Sequence, residues 1–288
     1  MPSVLATLAR PFLAALALVG CAPLDLLDAV VPTSGEERRL GLAYGQDPRQ
    51  RLDVYLPGPA ARPAAVVVFI HGGSWSDGSR SQYRFVGQDL AARGFVAVIP
   101  DYRLHPDGRW PRFVEDAAAA VAWAVHHADE IGGDPRRVVV MGHSAGAYNA
   151  AMVALEPRWL AAHGLERDVI AGFVGLSGPY DFLPFTDSVT RRVFGHVPDP
   201  QVTQPVTVAR AGAPPVLLIH GTGDDTVYPR NSTRLAERLR SLEVPVELIL
   251  HPGVGHAGTV LAFSPLSRDD PPVPSELLGF VARLGLDE

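Results

Sequence analysis

Apolar residues in this chain fall into short runs that alternate with longer stretches of helical spacing. Ala65 to Ile70, Phe95 to Ile99, Val138 to Met141, Val169 to Leu176 and Pro215 to Ile219 are almost wholly apolar, and Val246 to Leu250 is broken only by Glu247. Their length and β-branched content predict strands, and the lack of polar alternation predicts burial on both faces. Between them, Gln82 to Arg93, Phe113 to Asp129, Ala145 to Leu155, Asn231 to Leu242 and Ser275 to Leu284 read as helices. Gly94 suits the C-cap of the first, and Asn231 or Ser232 the N-cap of the fourth. Leu42 to Leu56 alternates around a polar turn at Gln46-Asp47-Pro48-Arg49-Gln50, the pattern of an antiparallel hairpin at a sheet edge. Strands alternating with helices predict an α/β fold: one mainly parallel central sheet with helices on both faces. Residues 182–213 lack a clear period and read as a short cap insertion, which predicts an open or shallow site.

Composition narrows the function classes. With 288 residues and 47% hydrophobic side chains the chain can bury a large core, and its formal charge of −6 gives no reason to expect nucleic acid as a partner. The single cysteine, Cys21, excludes disulfides within the chain and cysteine-rich metal sites. It follows a short apolar run, Phe12 to Gly20, that is too brief to span a bilayer and fits the h-region of a signal peptide. Leu18-Val19-Gly20-Cys21 resembles the lipobox of bacterial lipoproteins. That resemblance implies a signal peptide over residues 1–20 and lipidation at Cys21; the mixed, Pro-containing stretch after it reads as a tether over 21–40, leaving a folded domain over 41–288. The lipobox resemblance also implies export to the bacterial cell envelope and anchorage to a membrane.

Gly142-His143-Ser144-Ala145-Gly146 follows a strand and opens a helix, the context of a nucleophile elbow. There a sharp turn exposes the Ser144 hydroxyl, Gly142 and Gly146 leave room for close packing, and the Ala145 N–H can face an oxyanion. Upstream, the buried strand ending at Ile70 runs into His71-Gly72-Gly73-Ser74-Trp75, whose glycines let backbone N–H groups turn toward a ligand. Asp101 and Arg103, leaving the next strand, are expected to pair and fix a nearby loop.

His-Gly-Gly-x-Trp with Gly-His-Ser-Ala-Gly resembles the small carboxylesterases and kynurenine formamidase-like members of the α/β-hydrolase superfamily. The resemblance extends from about Leu40 to the C-terminus. It implies that Gly73 and Ser74 join Ala145 in an oxyanion hole, that Trp75 walls the acyl pocket and that His71 organises the loop.

The chain order serine, acid, histidine places the remaining members downstream. Only His251 and His256 follow the Asp224-Asp225 pair. His256, in a glycine-flanked loop, is preferred as base over His251, which directly follows a strand. His220 to Val227 resembles the family's acid-bearing segment and selects Asp224 over Asp225. The expected activity is hydrolysis of small short-chain carboxylic esters through an acyl-enzyme, with no metal or organic cofactor. The resemblance keeps an arylformamidase-like amidase open, although an envelope address counts against it. A catalytically inactive surface-binding lipoprotein on the same fold is a further alternative. The sequence leaves the oligomeric state unspecified.

Overall fold

Eight strands form one sheet in the computed structural model, which describes residues 37–267 and 269–284. They are β1 (Arg38–Ala43), β2 (Arg51–Tyr55), β3 (Ala64–Ile70), β4 (Val96–Pro100), β5 (Gly133–His143), β6 (Ile170–Leu176), β7 (Val216–Gly221) and β8 (Val246–His251). Their spatial order is β1-β2-β4-β3-β5-β6-β7-β8. The pairs β1–β2 and β2–β4 are antiparallel and all others parallel. The segment read as a signal peptide, Cys21, and the tether as far as residue 36 lie outside the described residues. β1 begins at Arg38, so the edge hairpin starts inside the stretch assigned to the tether.

The main helices are α1 (Arg84–Ala92), α2 (Arg112–His126), α3 (Ala145–Leu155), α4 (Ser188–Phe194), α5 (Arg230–Ser241) and α6 (Val273–Arg283). Strand residues alternate between two cores, as a period of two requires. Val66, Val68, Ile70, Val138 and Val140 pack with the apolar stripes of α2, α3 and α5. Val67, Phe69, Val139 and Met141 face α1 and α6 on the other side. With helices on both faces, every residue of β3 is buried, which accounts for its unbroken apolar run.

Two local expectations are corrected. α5 begins at Arg230 with Pro229 before it, and neither Asn231 nor Ser232 caps it. Both side chains turn inward instead: Asn231 accepts from the N–H groups of Tyr180 and Asp181, and Ser232 bonds His220. Asp101 and Arg103 do not pair with each other. Asp101 binds Arg80, while Arg103 reaches Asp116 on α2 at 2.7 Å. Each carboxylate already faces a guanidinium from another element, and the separation of those elements in sequence hides both pairings.

Candidate active site

β5 ends at His143 and α3 starts at Ala145, so Ser144 alone makes the turn, with φ 55° and ψ −123°. Such a conformation costs a non-glycine residue about 1–3 kcal/mol and persists only where the surroundings impose it. The imposing contacts are close. A Cβ on Gly142 would lie 2.3 Å from the Gly146 carbonyl oxygen, and one on Gly146 would lie 2.0 Å from that of Ile70. α3 can therefore sit against the ends of β3 and β5 only because both positions lack side chains.

At that turn the Ser144 hydroxyl donates to His256 Nε2 at 2.9 Å, and His256 Nδ1–H donates to Asp224 Oδ2 at 2.8 Å. The three groups come from the loops after β5, β8 and β7 at the carboxyl edge of the sheet. Asp224 is buried, and its Oδ1 accepts the N–H groups of Thr226 and Val227 at 3.0 and 2.8 Å. Burial by itself would raise the Asp224 carboxyl. Hydrogen bonds from His220 and His256, the charge of the His256 ring and the Val227 N–H outweigh it, and the group is held well below the usual carboxylate range. Asp225 is exposed. His251 ends β8 and bonds Glu276 on α6 at 3.1 Å, outside this chain of contacts.

The Gly-Gly loop lies beside the elbow. Gly73, Ser74 and Trp75 have successive φ values of 119°, 53° and 56°. This run of left-handed residues turns the backbone sharply, and a Cβ on Gly73 would meet the Asp77 carbonyl oxygen at 2.1 Å. Among the described residues no backbone carbonyl accepts from the N–H groups of Gly73, Ser74 or Ala145. Free N–H groups beside a nucleophile are available to an oxyanion. His71 is buried, with its ring stacked on Tyr102 at 4.4 Å and its Nδ1–H donating to the Gly72 carbonyl at 2.7 Å.

A cavity of about 570 Å³ is lined by Ser74, Trp75, Ser144 and Ala145, by residues between Pro179 and Thr190 such as Asp181 and Phe182, and by Tyr228 and Arg230. Trp75 is 4% exposed. Its Nε1–H donates to Asn149 of α3 at 3.1 Å, and behind it stand Tyr148 at 5.3 Å and Phe194 at 4.9 Å, both edge-on.

Two histidines escaped sequence reasoning. His143 Nε2–H donates to the backbone carbonyl of His256 at 3.0 Å. His220 is buried beneath Asp224: its Nε2–H is shared between the Val227 carbonyl at 2.7 Å and Asp224 Oδ2 at 3.1 Å, and its Nδ1 accepts from Ser232 at 2.7 Å. Both stand inside the motifs quoted above, next to Ser144 and before Gly221. Their positions were visible, but nothing in the spacing names their partners.

A mainly parallel sheet of this order, with the strained serine between the fifth strand and its helix, is the α/β-hydrolase fold. The chain belongs within it to the BD-FAE family, whose model matches residues 52–239. It is similar to esterase LipC of Mycobacterium tuberculosis, with 35% identity over 247 residues, or 77% of this chain and 60% of that protein. It is similar also to isoprenylcysteine alpha-carbonyl methylesterase of Arabidopsis thaliana, at 31% identity over 77% of this chain and 57% of the relative. The chain thus spans less than two thirds of these relatives' lengths. The crystal structure of esterase B from Lactobacillus Rhamnosis superposes with a TM-score of 0.77 at 23% identity, covering 96% of this chain and 94% of that one.

Proposed function

We propose that the protein is a serine hydrolase of short-chain carboxylic esters acting through an acyl-enzyme. The observation that carries the reading is the continuous hydrogen-bond chain from Ser144 through His256 to Asp224. The names of the esterase relatives support the bond class. His256 Nε2 takes the Ser144 proton as Oγ bonds the ester carbon, and the carbonyl π pair moves onto oxygen. The N–H groups of Gly73, Ser74 and Ala145 receive that charge, each contributing about 3 kcal/mol to the barrier reduction. The carbon–alkoxy bond then breaks, and His256 returns the proton to the leaving oxygen. Water repeats the cycle on the acyl-serine. Asp224, ionised throughout, keeps the proton on Nδ1 and stabilises the imidazolium. The rings packed edge-on behind Trp75 support a short acyl chain.

Hydrolysis of 4-nitrophenyl acetate, butyrate and palmitate by wild type and Ser144→Ala tests this reading, together with fluorophosphonate labelling. Acetate or butyrate should be preferred, and Ser144→Ala should lose about a thousandfold or more and fail to label. A palmitate preference would overturn the short-chain assignment, and undiminished turnover by Ser144→Ala the nucleophile.

Export and lipid anchorage at Cys21 belong to the same proposal, supported by the lipobox-like Leu18-Val19-Gly20-Cys21. Metabolic labelling with a fatty-acid probe, lost in Cys21→Ser, is the expected result in a bacterial host. Equal labelling of both proteins would refute it.

A further inference from the structure

The charged groups lining the cavity are not equally free. Asp181 binds Arg234 at 2.7 Å. Asp187 is taken up by the first turn of α4, where it accepts the N–H groups of Val189 and Thr190 and the Thr190 hydroxyl. Arg230 lines the same cavity and is exposed, with no carboxylate partner among the described residues. Its guanidinium lies over the ring of Tyr228, 4.9 Å from the centroid, and Tyr228 is 53% exposed.

Tyr228 belongs to the loop that carries Asp224, Arg230 opens α5 directly after it, and the loop is tied down. Asp224 Oδ1 holds the Val227 N–H, His220 holds the Val227 carbonyl, and Asn231 Nδ2–H donates to the Tyr228 carbonyl at 3.1 Å. The same Asn231 accepts the N–H groups of Tyr180 and Asp181 on the facing wall. The platform is therefore held in place relative to the serine by the contacts that place the acid. A guanidinium stacked on an aromatic ring keeps its edge of forked N–H donors facing outward, the geometry that grips a carboxylate with two parallel hydrogen bonds. Arg234 also lines the cavity but is taken up by Asp181, so in a chain of net charge −6 the cation without a carboxylate partner there, among the described residues, is Arg230, a local exception with a ligand's sign.

We infer that the site selects esters carrying a carboxylate remote from the scissile bond, bound by Arg230 on its Tyr228 platform. This rests on the serine-hydrolase reading above. The carboxylate takes no part in bond breaking; it adds binding energy and orients the ester.

The test measures kcat/KM of the full chain for matched pairs of anionic and neutral esters. Mono-4-nitrophenyl glutarate against 4-nitrophenyl pentanoate places the charge on the acyl side. Then 4-acetoxybenzoate against 4-methylphenyl acetate places it on the alcohol side. Wild type should favour the anionic member of at least one pair by about tenfold, with the preference falling as salt rises. Arg230→Met should bring that ratio close to one, and Arg230→Lys should restore only part of it, since the ammonium cannot form the fork. Thermal melting of each variant checks that the fold survives. Ratios near one for both pairs in wild type, or a ratio untouched by Arg230→Met, would overturn the inference while leaving the hydrolase reading intact. Failure to turn over any of the four esters, with no fluorophosphonate label on Ser144, would remove both.

Discussion

His143, the residue immediately before Ser144, donates its Nε2–H to the backbone carbonyl of His256 at 3.0 Å. The elbow thus presents Ser144 and also grips the main chain of the residue whose ring meets it. The two rings lie 5.0 Å apart, and His143 is 5% exposed, so the clamp is shielded from competing water. His143 touches no reacting atom in the proposed mechanism and acts as a positioning residue. Displacing a base by about 1 Å can cost on the order of a hundredfold in rate. His143→Leu should therefore lower kcat by about ten- to a hundredfold with a smaller change in KM. His143→Gln, which keeps an N–H donor at similar reach, should recover much of the loss. Steady-state kinetics on both variants would decide it, and equal kcat in Leu and Gln would remove the positioning role.

The same histidine predicts how the fold responds to acid. Burial, with the neighbouring His256 adding to it, pushes the His143 imidazole down to about 3. Nδ1 has no partner among the described residues, so protonation would add a buried donor with nothing to receive it. In the unfolded chain the ring takes a proton below about 6.5. Between those values the unfolded state holds the extra proton, so stability falls as the pH falls, by up to about 1.4 kcal/mol per pH unit. Denaturant unfolding from pH 7.5 to 5 should show wild type losing stability more steeply than His143→Gln. Parallel slopes would contradict the burial of a neutral ring.

The sequence carried the fold because both-face burial leaves a plain mark. A strand such as Val66-Val67-Val68-Phe69-Ile70 must be apolar throughout when helices cover both sides, and glycines such as Gly142 and Gly146 are forced where backbones nearly touch. Ser144, His256 and Asp224 were legible for a related reason: each sits just past the carboxyl end of a strand, where the fold collects loops at one edge. What stayed hidden depends on side-chain direction across distant elements. Arg103 meets Asp116 rather than its neighbour Asp101, and Asn231 braces Tyr180 and Asp181 rather than capping its own helix. Such choices are set by packing among elements far apart in the chain, which local spacing does not encode.

The oxyanion loop gives a third prediction. Gly73 adopts φ 119°, which an L side chain rarely tolerates, and an added Cβ would overlap the Asp77 carbonyl oxygen at 2.1 Å. Gly73→Ala must re-aim the loop and shift the N–H groups of Gly73 and Ser74, which the proposed mechanism directs at the developing oxyanion. Loss of one such donor costs about a hundred- to a thousandfold in kcat. The variant should show that loss with butyrate ester while its thermal unfolding stays cooperative. Wild-type kcat in Gly73→Ala would mean that these N–H groups do not meet the oxyanion.

In the proposed mechanism, acyl-chain preference follows from what fills the space beside Trp75. Phe182 lines the cavity and is half-buried, with its ring 6.3 Å from Trp75, 5.8 Å from Tyr148 and 5.4 Å from Phe194. It is the member of this aromatic group whose removal opens the cavity without taking out a fully buried ring. Phe182→Ala should cost less stability than the about 3–5 kcal/mol typical of a buried Phe. The freed volume adjoins apolar rings, so each added methylene of substrate that enters it gains up to about 0.8 kcal/mol. The ratio of kcat/KM for 4-nitrophenyl octanoate over acetate should therefore rise several-fold in Phe182→Ala. Trp75→Ala should raise it further, at a larger loss in melting temperature. If the ratio is unchanged in Phe182→Ala while thermal unfolding stays cooperative, the acyl chain runs along another wall of the cavity, and the rings behind Trp75 do not set its length.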